Sequence, residues 1–170
     1  MSRASAIDRE ALRQRAYEAA ASVCDPEVPV LTIADLGVLH DVSIGDEGKV
    51  VVTILPTYSG CPAMSVIQKE VEAALADAGF TDVAVTISHT PAWSTDLMSE
   101  AAREKLRVSG IAPPGHGRGK HGFFAPEEAI PCPRCGSPAT EKISAFGATA
   151  CKALWRCTSC REPFEHFKCL

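Results

Sequence analysis

Apolar residues recur along the first 110 positions in two rhythms, and the switches between them lay out a fold. From Ala6 to Val23, the residues Leu12, Ala16, Ala19, Ala20 and Val23 step by three and four, the spacing of one helix face. Asp25-Pro26 closes that helix, because proline disfavours the helical backbone in the residue before it. "VLHDVSIG" (Val38–Gly45) and "KVVVTIL" (Lys49–Leu55) are rich in β-branched residues and flank the turn-forming "DEG", which predicts a hairpin. Helical spacing returns at Met64, Ile67, Val71, Ala74, Leu75 and Ala78, with Gly79 placed to end the run. "VAVTI" (Val83–Ile87) predicts a third strand. Ser94 or Thr95 then caps a helix from Asp96 to Val108 that turns Leu97, Ala101 and Leu106 inward. The order α-β-β-α-β-α over residues 1–110 predicts an α+β domain, a small three-stranded mixed sheet covered by helices.

The rhythm stops at Gly110. "GIAPPGHGRGKHGFFAPEEAIP" is dense in glycine and proline, so residues 111–130 are expected to be a linker, with Phe123-Phe124 able to dock. Charge divides at the same place. Residues 1–110 hold 9 Lys/Arg against 16 Asp/Glu, a net −7, and residues 111–170 hold 8 against 5, a net +3; together they give −4. A surplus of three cations is too small for a surface that tracks a phosphate backbone, so no nucleic-acid partner is expected. No apolar run reaches the ~18 residues of a membrane span, and "MSRASAIDRE" lacks the apolar core of a secretion signal. No membrane partner and a cytoplasmic location are expected.

The cysteines change the picture of residues 131–170. Six of the eight, Cys132, Cys135, Cys151, Cys157, Cys160 and Cys169, crowd the end of the chain. Cys132-Pro-Arg-Cys135 and Cys157-Thr-Ser-Cys160 are two C-x-x-C knuckles separated by 21 residues. Each brings two thiolates to one ion, and a tetrahedral Zn²⁺ takes two such pairs. The β-prone pieces between them suit a four-cysteine zinc ribbon, in which the metal supplies folding energy that so small a core lacks. A redox dithiol pair and a rubredoxin-like iron site are the alternatives. Cys151 and Cys169 remain as additional thiols, either buried beside the ribbon or joined in a second metal site. His166 is expected to be packed or exposed rather than a ligand.

A further cysteine lies at a predicted helix start, in "PTYSGCPAM" (Pro56–Met64). With Pro62 as the first helical residue, Cys61 takes the N-cap, where unpaired amides and the helix dipole favour a thiolate. Gly60 suits a left-handed backbone. The loop "CDPEVPVLTIADLG" offers Asp25, Glu27 and Asp35, and His89 follows a strand end; with Cys61, such groups form a set that binds a transition metal. Cys61 as a packed core residue is the other reading. Trp93 is expected in the core. No Walker loop or G-x-G-x-x-G is present, and "GHGRGKHG" lacks the strand–loop–helix context of a phosphate site.

"DPEVPVLTIADLG" (Asp25–Gly37) followed by "PTYSGCP" resembles the SufT-like family of Fe–S assembly domains, in which DPE, a hydrophobic-proline step, DLG and a cysteine before proline recur. The likeness covers roughly residues 6–110. The tail "FGATACKALWRCTSCREPFEHFKC" (Phe146–Cys169), with "CPRC" before it, resembles that of accessory subunits encoded with the phenylacetyl-CoA ring-epoxidase of phenylacetate degradation. The resemblance implies a non-catalytic maturation role beside a multicomponent monooxygenase, whose metal centres are the di-iron of its oxygenase component and the Fe–S cluster of its reductase component. It implies that Cys61, with Asp25, Glu27 and Asp35, transiently holds iron or an Fe–S cluster, and that Cys132, Cys135, Cys157 and Cys160 hold structural Zn²⁺. The reductase or oxygenase component is the implied partner, and a homodimer stays open. Two other classes remain: a thiol enzyme with Cys61 as nucleophile, and a zinc-ribbon adaptor in which Cys61 only packs.

Overall fold

The structure, a computed structural model, describes residues 3–115 and 130–168. Its contacts divide the chain into two compact units, Met1–Trp93 and Ser94–Leu170.

In the first unit, α1 (Arg3–Ala21) is followed by the hairpin β1 (Leu39–Ile44) and β2 (Val50–Ile54), then α2 (Met64–Asp77) and β3 (Val83–Ile87). β2 is the central strand, antiparallel to β1 and parallel to β3. This is the mixed three-stranded sheet that the pattern predicts. Val50, Val52 and Ile54 are buried on one sheet face, while Val51 and Thr53 between them are half-buried, the period of two that a strand with one covered face requires. Met64, Ile67, Val71 and Leu75 form the buried face of α2, and Gly79 ends the run at φ 91°. α1 buries Ala16 and Ala20 but leaves Leu12 exposed. Between α1 and β1, Val28, Leu31, Ile33 and Leu36 of the proline-stiffened loop are buried, which makes that loop part of the core. Trp93 is buried as expected and donates its indole N–H to the carbonyl of Leu36 at 2.9 Å.

The second unit opens with a single 3-10 turn, Thr95–Leu97, and α3 (Glu100–Val108). The expected helix from Asp96 therefore starts four residues late. Met98 and Ser99 are extended, and the Ser99 hydroxyl, not Ser94 or Thr95, accepts the Ala102 N–H at 3.0 Å. With that shift the inward face becomes Ala102, Arg103 and Leu106, and Leu97 and Ala101 are exposed. β4 (Ile111–Ala112), β5 (Thr140–Ser144), β6 (Lys152–Cys157) and β7 (Pro163–Phe167) form one sheet in the order β4-β7-β6-β5. The last three are antiparallel neighbours, and β4 runs parallel to β7. Ala112, Ile130, Cys132, Ala153, Trp155, Cys157 and Phe164 pack as its core.

The contacts group residues 94–110 with the ribbon strands in one compact unit. α3 packs against β4, and the buried Arg103 guanidinium donates to the carbonyls of Thr95 (2.6 Å) and Pro114. These contacts bind residues 95–114 to the ribbon sheet. Phe123-Phe124 lies outside the described residues.

Candidate metal centre and cysteine loop

The two C-x-x-C knuckles meet. Sγ of Cys132 lies 3.8 Å from that of Cys160, and Sγ of Cys135 lies 3.6 Å from that of Cys157; all four fall within 4.8 Å of one another. A disulfide needs about 2.05 Å. An ion with four metal–sulfur bonds of about 2.3 Å sets its sulfurs about 3.8 Å apart along each tetrahedral edge. The separations fit a bound metal. Each knuckle is shaped by its backbone: Gly136 N–H donates to the Cys132 carbonyl at 2.8 Å, and Cys157 N–H to that of Glu162 at 3.0 Å. The Ser137 and Ser159 hydroxyls meet at 2.8 Å between them.

In this cluster the acidities of Cys157 and Cys160 are driven apart. The Cys157 sulfur takes the backbone N–H of Cys160 at 3.4 Å, which brings this thiol down to about 6. Cys160 receives a backbone hydrogen bond from Glu162, yet burial and its three neighbouring thiols push it up to about 12. A divalent cation relieves that repulsion by replacing the protons.

Beside the centre, His166 is packed, its ring stacked on that of Trp155 with centroids 6.2 Å apart. Cys151 is buried, its sulfur 3.0 Å from the Thr149 hydroxyl. Cys169 lies outside the described residues. The sequence reading missed the pair that braces this region: the buried Lys152 ammonium meets the Glu165 carboxylate at 2.9 Å. No local signal announces it, since register alone brings β6 and β7 together.

Around Cys61 the structure differs from the expected helix cap. Helix α2 begins at Met64, with Ala63 as its N-cap and no side chain capping it. Residues 58–64 form two tight turns instead, closed by Cys61 N–H to the Tyr58 carbonyl and by Met64 N–H to the Cys61 carbonyl, both at 3.3 Å. Gly60 takes the left-handed backbone, φ 89°, as the sequence suggested. The half-buried Cys61 thiol is raised, not lowered. Burial is the chief cause, and the carboxylates of Glu27 and Asp25 add to it; the Ala63 N–H and the Tyr58 side chain, hydrogen-bonded to the sulfur, act the other way.

The structure therefore brings Asp25 and Glu27 into the field of Cys61. Asp25 is buried, and its Oδ1 accepts the N–H groups of Glu27 (2.8 Å) and Val28 (2.9 Å), which fixes the loop. Asp35 shapes the other end of that loop: its Oδ2 accepts the Thr32 N–H at 3.0 Å, while its own N–H donates to the Thr32 hydroxyl at 3.1 Å. His89 is exposed beyond β3. Tyr58 was not singled out from sequence, although its place three residues before Cys61 in a turn-prone stretch is a signal that could have found it.

A three-stranded α+β unit with a DPE loop beside a cysteine, joined to a four-cysteine ribbon, is the architecture of a SufT-like Fe–S assembly domain carrying a metal-binding module. Residues 13–87 match the family described as iron-sulfur cluster assembly protein, and residues 117–168 match the PaaD zinc beta ribbon domain. The chain is 51% identical over 146 residues to an Escherichia coli K12 protein provisionally named as a subunit of 1,2-phenylacetyl-CoA epoxidase, covering 86% of each. It thus belongs to the PaaD family. It is also 37% identical to the Fe-S protein maturation auxiliary factor YitW of Bacillus subtilis, over 58% of this chain and 97% of that one. Among solved structures it is similar to a domain of unknown function, DUF59, from Bacillus anthracis, with TM-score 0.57 and 28% identity over 61% of this chain and 98% of that one. No helix among the described residues is long and apolar enough to cross a membrane.

Proposed function

We propose that the chain is a non-catalytic accessory factor that matures a metal centre of the phenylacetyl-CoA epoxidase in phenylacetate degradation. Cys61, with Asp25 and Glu27 beside it and Asp35 bracing their loop, transiently holds iron or an Fe–S cluster as cargo. The observation that carries this reading is the position of the Cys61 thiol in the field of Glu27 and Asp25. A nucleophilic cysteine needs a cationic neighbourhood that lowers its pKa. Two carboxylates and a half-buried thiol instead make a site that a divalent cation neutralises, which weighs against the thiol-enzyme alternative.

In the ribbon, Cys132, Cys135, Cys157 and Cys160 hold Zn²⁺. Four thiolates leave no open coordination position, so the ion is structural and ties the two knuckles together. The relatives named as an epoxidase subunit and as Fe–S maturation factors support the accessory role, with an epoxidase component as partner.

Anaerobic reconstitution with ferrous iron and sulfide tests the cargo site. The wild type is expected to bind iron and to restore the epoxidase in cells lacking this protein, and Cys61→Ser to lose both while retaining one zinc per chain. Equal iron binding and equal restoration by Cys61→Ser would remove Cys61 from the site.

A further inference from the structure

The sharp bend between β5 and β6 holds an aromatic ring out of the protein. Phe146 is 65% exposed, and Ile143 on β5, an outer strand of the sheet among the described residues, is 53% exposed. An exposed phenylalanine in a loose loop would be unremarkable. This loop is built. Phe146 N–H donates to the Ser144 hydroxyl at 3.1 Å, Gly147 N–H to the Lys152 carbonyl at 2.8 Å, and Ala148 N–H to Oε1 of Glu165 at 2.6 Å. Glu165 is itself held by the buried Lys152. Gly147 passes so close that a Cβ there would stand 2.6 Å from Glu165 Oε1. From the other side, Lys168 donates to the Ala145 carbonyl at 3.0 Å and sets its ammonium 4.5 Å from the centre of the Phe146 ring.

We infer that Phe146 is the anchor of a docking surface, with Ile143 beside it in sequence on the β5 edge, for a protein partner that offers an apolar pocket rimmed by carboxylates. This rests on the maturation reading above, and the partner is a component of the epoxidase. An aromatic side chain fixed before binding loses little freedom when it enters a pocket, and such anchors carry a large share of interface energy. Lys168 defines the electrostatics. A cation over one face of the ring cannot be buried against apolar surface alone, so acidic groups around the pocket must meet it. One ring and one isoleucine are too little apolar area to hold a membrane surface, whereas a concave protein pocket uses them fully.

Binding of the full-length, zinc-loaded chain to the purified oxygenase and reductase components, each in turn and at low and high salt, tests this. The wild type is expected to bind one of them. Phe146→Ala should weaken that binding at least about tenfold, as loss of an interface anchor does, with zinc content and unfolding temperature unchanged because the ring is outside the core. Phe146→Tyr should bind nearly as the wild type does, and Lys168→Glu should weaken binding most at low salt. Full-strength binding by Phe146→Ala and Lys168→Glu would overturn the docking surface and leave the maturation reading standing. Wild-type binding to neither component, with Cys61-dependent iron loading intact, would overturn the partner; loss of that loading as well would overturn the reading beneath it. Phe146-dependent self-association, or co-sedimentation with phosphatidylserine vesicles, would overturn the inference in favour of a second copy or a lipid surface.

Discussion

Gly136 and Arg161 hold the same place in the two cysteine knuckles, each one residue beyond the second cysteine, and both have a left-handed backbone, φ 74° and 66°. The turn demands that conformation, which glycine adopts freely and an L side chain does not. Arg161→Gly is therefore expected to stabilise the zinc-loaded ribbon by about 1 kcal/mol, and Gly136→Ala to destabilise it by a similar amount. Thermal unfolding of the zinc-saturated variants checks both signs.

Metal binding must carry protons away. With Cys160 held near 12 in the metal-free cluster, its proton leaves only when the ion arrives. Titration calorimetry near pH 7 in buffers of different ionisation enthalpy should report net proton release. Affinity should fall further as the solution is acidified through the value of about 6 at Cys157, where protons also compete for that thiol. Chelation at neutral pH should unfold the ribbon strands.

Glu165 gives the same unit a second acid sensitivity with a different origin. Burial pushes its carboxyl up, but the Ala148 N–H and Lys152 together outweigh burial and hold it below the usual carboxylate range. A carboxyl depressed on folding stabilises the protein above its unfolded pKa, and that contribution is lost as pH falls through the folded value. Glu165→Gln strips the buried Lys152 of this counter-charge and is expected to cost about 3 kcal/mol at pH 7. Denaturant unfolding should show the gap between variant and wild type closing as the pH drops below the ordinary carboxylate range.

Removing either carboxylate from beside Cys61 should make its thiol more acidic. The midpoint of the pH profile for Cys61 alkylation is expected to move down in Glu27→Gln and in Asp25→Asn. Asp25→Ala also removes the acceptor of two loop N–H groups and should cost about 1–3 kcal/mol of stability, which the amide variant largely retains. An unmoved midpoint in both charge-neutral variants would show that burial alone sets the thiol.

The parts of this fold that were legible in the sequence are those with a repeat. Val50, Val52 and Ile54 alternate, and Ile67, Val71 and Leu75 step by helix turns, because each packs one face against a core. The knuckles were legible because C-x-x-C is a fixed spacing, and the fold brings their four sulfurs within 4.8 Å of one another. Helix starts were not, since Pro62 is compatible with a helix from its own position and with the turn that delays it to Met64. The acidity of Cys61 was misread for a related reason. It depends on Asp25 and Glu27, which approach only when the loop carrying Val28, Leu31 and Ile33 sinks into the core. β4 has two residues, too few for any period, and only its pairing with Glu165 and His166 reveals it.

That short strand decides what the glycine- and proline-rich stretch after it connects. Ala112 at its head and Ile130 at its tail are members of one buried cluster, so the stretch begins and ends in the same unit. Lengthening it is expected to cost only the weak entropy of a larger ring, about 0.6 kcal/mol per doubling. A protease cut within it would leave two fragments gripped by the same sheet, migrating together until a denaturant parts them.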